Sequence, residues 1–152
     1  MALTAHRKPK TRIRDKVIPG ARLIESDALV FIGSLLVADA TTGLSKVAAD
    51  GGAGATIFLG ICTGFDYLTG PLTDSAVVGN GTIVAEYETG HEVLLPKESS
   101  VTAADNGKAA YCFTDDTVTD ATTAGPGCGL LLEVEGSSIW VRLGANALPL
   151  AT

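Results

Sequence analysis

The segment Leu130–Leu143 limits what this chain can fold into more than any other. Leu130, Leu132 and Val134 alternate with Leu131, Glu133 and Glu135, and Ile139, Val141 and Leu143 alternate on the far side of Gly136-Ser137. A period of two belongs to a half-buried strand, whereas an α-helix repeats at 3.6. Gly-Ser between two such runs suits a two-residue type II′ turn, so the segment predicts a β-hairpin. In that register Val134 faces Ile139, Leu132 faces Val141 and Leu130 faces Leu143. Those six share one side, and Glu133, Trp140 and Arg142 fall on the other.

The same pattern recurs along the chain. In Thr82–Pro96, Ile83, Ala85 and Tyr87 alternate with Val84, Glu86 and Glu88. Thr89-Gly90 breaks the run, and a second strand ends at Pro96, which cannot donate to a ladder. This reads as a central hairpin or bent strand pair. Leu29–Ala38 is nearly all apolar, as in a strand buried on both faces, with Gly33 marking a bulge or a close approach. Gly33 and Gly107 each open a strand that a Thr/Gly/Asp loop connects to a second Gly-led apolar strand, at Gly60 and at Gly129. A weak duplication flanking the central stretch follows. With 18 glycines, 5% aromatics and no long helical period, the chain is expected to be all-β. Its body should be compact and barrel- or sandwich-like, with at most a short helix.

The N-terminus has a different composition. Residues 1–22 hold seven Lys or Arg against one acid, and the remainder holds four against sixteen, which gives the net charge of −6. Residues 1–19 have two prolines, dense charge and no apolar face, and read as a flexible basic arm. Residues 20–152 read as a single β domain, large enough to bury a core without metal or disulfide staples. Cys62, Cys112 and Cys128 are odd in number and lack ligand spacing, so they read as small buried hydrophobes of a reducing compartment. No secretory signal is visible, and no apolar run approaches the roughly 20 residues of a membrane helix. The expectation is a chain made in the cytosol.

Groups for chemistry are sparse. Glu86, Glu88 and Glu92 read as an exposed acidic strand face, and Asp115-Asp116 with Asp120 as solvated loop charge lacking calcium-loop spacing. His91 is the only histidine of the body, and neither a Gly-x-Ser-x-Gly elbow nor a Cys–His spacing accompanies it. The loop Asp50–Ala55 is Gly-rich but lacks the Gly-Lys-Ser/Thr ending of a phosphate loop. The expectation is therefore no enzyme, no cofactor and no metal. The acidic body and the lack of aromatics between the arm's cations argue against nucleic acid as a partner.

Lys46–Ile61 runs from a strand through a Gly/Ala/Thr/Asp loop into Leu-Gly-Ile, and Gly81–Pro96 is a strand, a glycine and a second strand closing on Pro. Over roughly residues 44–98 this order of elements resembles the lambda-type head decoration (capsid cement) proteins of tailed bacteriophages. After Lys97 the chain is longer than the compact members and looks more like larger cement proteins with a repeated strand unit. The resemblance implies a homotrimer on the outer surface of an expanded phage head, clamping neighbouring subunits of the major capsid protein. Its N-terminal arm would carry the capsid-binding cations, here Arg7, Lys8, Lys10, Arg12, Arg14 and Lys16. Trp140, the one Trp of an aromatic-poor chain, is expected at a subunit contact. The alternative is a β-sandwich adhesion or carbohydrate-binding module, which needs exposed aromatics on one face.

Overall fold

The computed structural model describes residues 3–12, 17–48, 56–122 and 125–144. The strands in chain order are β1 (Thr11–Arg12), β2 (Ile18–Leu23), β3 (Leu29–Val30), β4 (Leu35–Asp39), β5 (Ser45–Val47), β6 (Thr56–Asp66) and β7 (Val77–Val78). They continue as β8 (Val84–Thr89), β9 (Glu92–Pro96), β10 (Ala109–Cys112), β11 (Val118–Thr119), β12 (Gly127–Glu135) and β13 (Ser138–Leu143). The fold is all-β, as expected. Among the described residues its helical content is one 3-10 turn, Ala103–Asp105, held by reciprocal capping between Thr102 and Asp105.

The strands form two units of the same design. The first is a five-stranded sheet ordered β2-β8-β6-β4-β5, whose outer strands meet at a parallel bridge between Ile24 and Ser45. The second is ordered β9-β13-β12-β10-β11, and Lys97 and Val118 form the matching bridge. The equivalence extends to single hydrogen bonds. Gly33 N–H donates to Cys62 C=O and Cys62 N–H to Ser34 C=O, while Gly107 N–H donates to Leu131 C=O and Leu131 N–H to Lys108 C=O. Each unit shifts register between β6 and β8 (at Cys62/Gly64) or between β12 and β13 (at Leu131/Glu133). The internal duplication is therefore a repeat of ladder geometry.

That shift corrects part of the hairpin register. Val134 faces Ile139 and Glu135 faces Ser138, as the Gly136-Ser137 turn predicts. Leu132 is then the extra residue, so Leu131 faces Val141 and Leu130 faces Arg142. A bulge reverses the alternation beyond it, and an ideal two-residue period cannot anticipate one. The central stretch is the bent pair and not a hairpin. β8 lies inside the first sheet and β9 inside the second, and Gly90 turns between them with φ 87°, which a glycine adopts without strain.

Two buried clusters follow from the alternation. Ile24, Leu36, Cys62, Ile83 and Ala85 fill the first unit with Val30 and Val77 of the small β3–β7 pair. In the second, Val93, Leu95, Ala110, Leu131, Ile139 and Val141 continue into Leu35, Val37, Phe58 and Ile61 of the first. Leu36 faces its own unit while Leu35 and Val37 join the second cluster, which is why β4 is apolar from Leu35 to Ala38. The strand expected over Leu29–Ala38 is broken at residues 31–34, and Leu29 and Val30 pair with β7 in a separate sheet. Each such side chain contributes about 1.5–3 kcal/mol on full burial, so the inter-unit contact is part of the core.

Two acidic expectations are corrected. Glu92 is 3% exposed, and Asp115 and Asp116 are 8% and 6% exposed. Strand pairing encloses the first, and the N-terminal segment covers the other two. The body also begins earlier than Gly20, because Ile18 and Pro19 already pair with Thr89 and Glu88.

Candidate functional site

Residues 3–12, expected as part of a free arm, run across both units. Leu3 N–H donates to Asp115 Oδ1 at 3.0 Å. His6 Nδ1 accepts from Ile32 N–H at 2.9 Å and its Nε2 lies 3.1 Å from Ser75 C=O, so the neutral Nε2–H tautomer serves both. The ring also meets Phe31 edge-on. Arg7 N–H donates to Ile32 C=O, and a Cβ on Gly33 would collide with the Arg7 carbonyl. Here glycine is required by a close backbone approach, and the approaching chain is the N-terminal segment.

Further along, the segment becomes a strand. Lys10 C=O accepts from Leu94 N–H at 2.9 Å, and Thr11 and Arg12 pair with Val93 and Glu92. Arg12 does the most. Its Nε donates to Glu92 Oε1 at 2.8 Å, and its guanidinium carbon sits 4.2 Å from the Trp140 ring centroid. Arg142 Nη2 reaches the other Glu92 oxygen at 3.1 Å. Burial works against ionising Glu92, but hydrogen bonds from Arg12 and Arg142 outweigh it and hold the carboxyl below its ordinary value. Asp115 moves the other way, because burial dominates over the Leu3 N–H bond.

Of the six arm cations, Arg12 and Arg7 turn inward, the latter with Nη1 3.7 Å from Asp116 Oδ2. Lys8 and Lys10 are exposed. Arg14 and Lys16 lie outside the described residues. Trp140 is 7% exposed. The subunit contact expected of Trp140 supposes that a Trp on that face would otherwise stand in water; within this chain Arg12 already covers it. Arg12 and Trp140 are 128 positions apart, and the only sequence hint of their meeting is a lone Trp flanked by the opposite charges of Glu133 and Arg142.

Beneath residues 7–11 lies a cavity of about 300 Å³ lined in part by Cys62, Glu88 and His91. Spacing alone did not bring this cysteine and histidine together. Burial pushes the Cys62 thiol up to about 12, with its Sγ–H donated to Gly64 C=O, so the thiol in the cavity is protonated at neutral pH. His91 is buried with Nε2 4.0 Å from Glu88 Oε2. Among the described residues no group of three or more His, Cys, Asp or Glu is placed to hold a metal ion. The arrangement suits binding through backbone edges and charge. Compared with family models, with curated proteins and with solved structures, the chain matches none.

Proposed function

We propose that the protein is a structural, non-catalytic decoration protein of a tailed-phage head. In this reading it sits as a homotrimer on the outer capsid surface and clamps neighbouring major capsid subunits. The observation that carries it is the N-terminal segment, which is attached by backbone strand addition and crosses both units while Lys8 and Lys10 stay exposed. Strand addition supplies affinity without demanding a particular side chain, and exposed cations add charge steering toward an acidic partner. Trp140 then serves the subunit boundary by holding the segment that reaches it. The glycan-binding alternative gains nothing, because Trp140 is covered and Tyr67, at 70% exposed, stands on an irregular loop.

The test adds purified protein to expanded heads that lack decoration, followed by co-sedimentation. Wild type is expected to bind, and the double variant Lys8→Ser, Lys10→Ser to bind about tenfold more weakly through the sum of small exposed charge pairs over three arms. Replacing all six cations, Arg14 and Lys16 included, should weaken it further, and salt should reduce the difference. Wild type left in the supernatant, or a monomeric mass in light scattering at all concentrations, refutes the proposal.

A further inference from the structure

The two units differ at one edge. On the second, β1 lies beside β9 with Arg12 opposite Glu92. In the first unit β2 holds the place of β9. Pro19 pairs with Glu88 as Glu92 pairs with Arg142, and Ala21 pairs with Glu86 as Leu94 pairs with Trp140. Ile24 N–H donates to Ile83 C=O, on the β8 side. Neighbouring residues of an antiparallel strand point their polar groups in opposite directions, so Ala21 N–H, Ala21 C=O and Pro19 C=O are directed away from β8. Among the described residues no strand lies on that side of residues 18–21, and Pro19 and Ala21 are exposed.

The charge beside this edge is negative. Residues paired in register share a sheet face, so Glu86 and Glu88 stand on the face of Ala21 and Pro19, where the second unit has Trp140 and Arg142. Glu86 is exposed and Glu88 half-buried. Ala21 is short enough for a long side chain to pass over it.

We propose that the outer edge of β2 accepts an extended basic segment of another protein as an added strand, with a Lys or Arg reaching over Ala21 to Glu86. The internal repeat supplies the precedent, since a basic strand already occupies the equivalent edge of β9. This chain's own segment is not the occupant. Arg12 gains Glu92 and Trp140 at β9, and β2 offers Pro19 and Glu86 in their places. Pro19 removes one donor from the edge, so pairing is short and the carboxylates supply much of the affinity. The inference does not depend on the capsid reading.

The probe is a ten-residue peptide of alternating Thr and Lys, titrated into the isotope-labelled full chain and followed by amide NMR. Saturable shifts are expected at residues 18–21 and 84–89, and none with a peptide carrying Glu in place of Lys. Ala21→Pro removes the outward donor at an exposed edge position, and Glu86→Lys changes an exposed side chain. Each should weaken binding at least tenfold while the rest of the spectrum is unchanged. Shifts centred on Val93 and Leu94, or equal affinity for both variants, overturn the proposal. So does self-association of the chain that Ala21→Pro abolishes, because the edge would then belong to a second copy.

Discussion

The two units have the same ladder and almost none of the same side chains. Glu86 stands where the second unit has Trp140, Glu88 where it has Arg142, Arg22 where it has Leu95, and Ile24 where it has Lys97. What persists is a glycine at the first register shift of each, Gly60 in β6 and Gly129 in β12. A Cβ there would collide with the carbonyl oxygen of Glu88 or of Arg142 on the adjacent strand. Backbone geometry preserves the repeat, while the side chains at equivalent positions differ, buried ones such as Leu95, Trp140 and Ile24 included. One unit has gained the β3–β7 pair over its interior, and the other holds the N-terminal strand.

The largest effect should come from removing what the units share. Gly129→Ala and Gly60→Ala each push a methyl into a backbone carbonyl that cannot swing aside, and each should cost about 3 kcal/mol in denaturant unfolding. If the repeat is structural, the two losses agree within about 1 kcal/mol. A neutral Gly60→Ala beside a damaging Gly129→Ala would break the equivalence.

Next comes what only the second unit has. Arg12→Ala leaves buried Glu92 with Arg142 alone and uncovers Trp140, and should cost about 2 kcal/mol. The emission of this single Trp should shift to the red as water reaches the ring. An unshifted spectrum with unchanged stability would detach the N-terminal strand from the comparison.

The smallest effect is in pH dependence. Glu92 has a lowered folded-state pKa, so its ionised form stabilises the protein above its unfolded value near 4.5, and that stability is lost as pH falls through the lower folded value. Glu92→Gln should therefore flatten the acid limb of stability against pH below about 4.5. Asp115, raised by burial, has the opposite sign: it favours the folded state as the pH falls toward its ordinary value. An unchanged acid limb in Glu92→Gln would place the acid sensitivity in other carboxylates.

Much of the architecture was legible because strand alternation and turn chemistry are local. The 130–143 hairpin, its turn at Gly136-Ser137, the apolar run Leu35–Ala38 and the repeat opened by Gly33 and Gly107 all come from local pattern, whereas the break at residues 31–34 of the expected strand Leu29–Ala38 does not. The site was less legible. Lys8 and Lys10 are exposed, but Arg12, of the same composition, is half-buried against Glu92 and Trp140. Composition reports that a segment cannot bury apolar area alone, and says nothing of an edge that another part of the chain holds open for it.

By itself the sequence determined the class of fold, the positions of its turns and the separation of charge between a basic end and an acidic body. Each depends on period, backbone freedom or simple count. The tertiary structure alone decided that β8 and β9 belong to different sheets, that Leu132 is the extra residue of a bulge, and that Glu92 and Trp140 meet Arg12. A strand's period of two is the same whichever strand lies beside it. Its neighbour is chosen only when the two sheets close, and that closure fixes which charges are buried together and which edge is left to be paired.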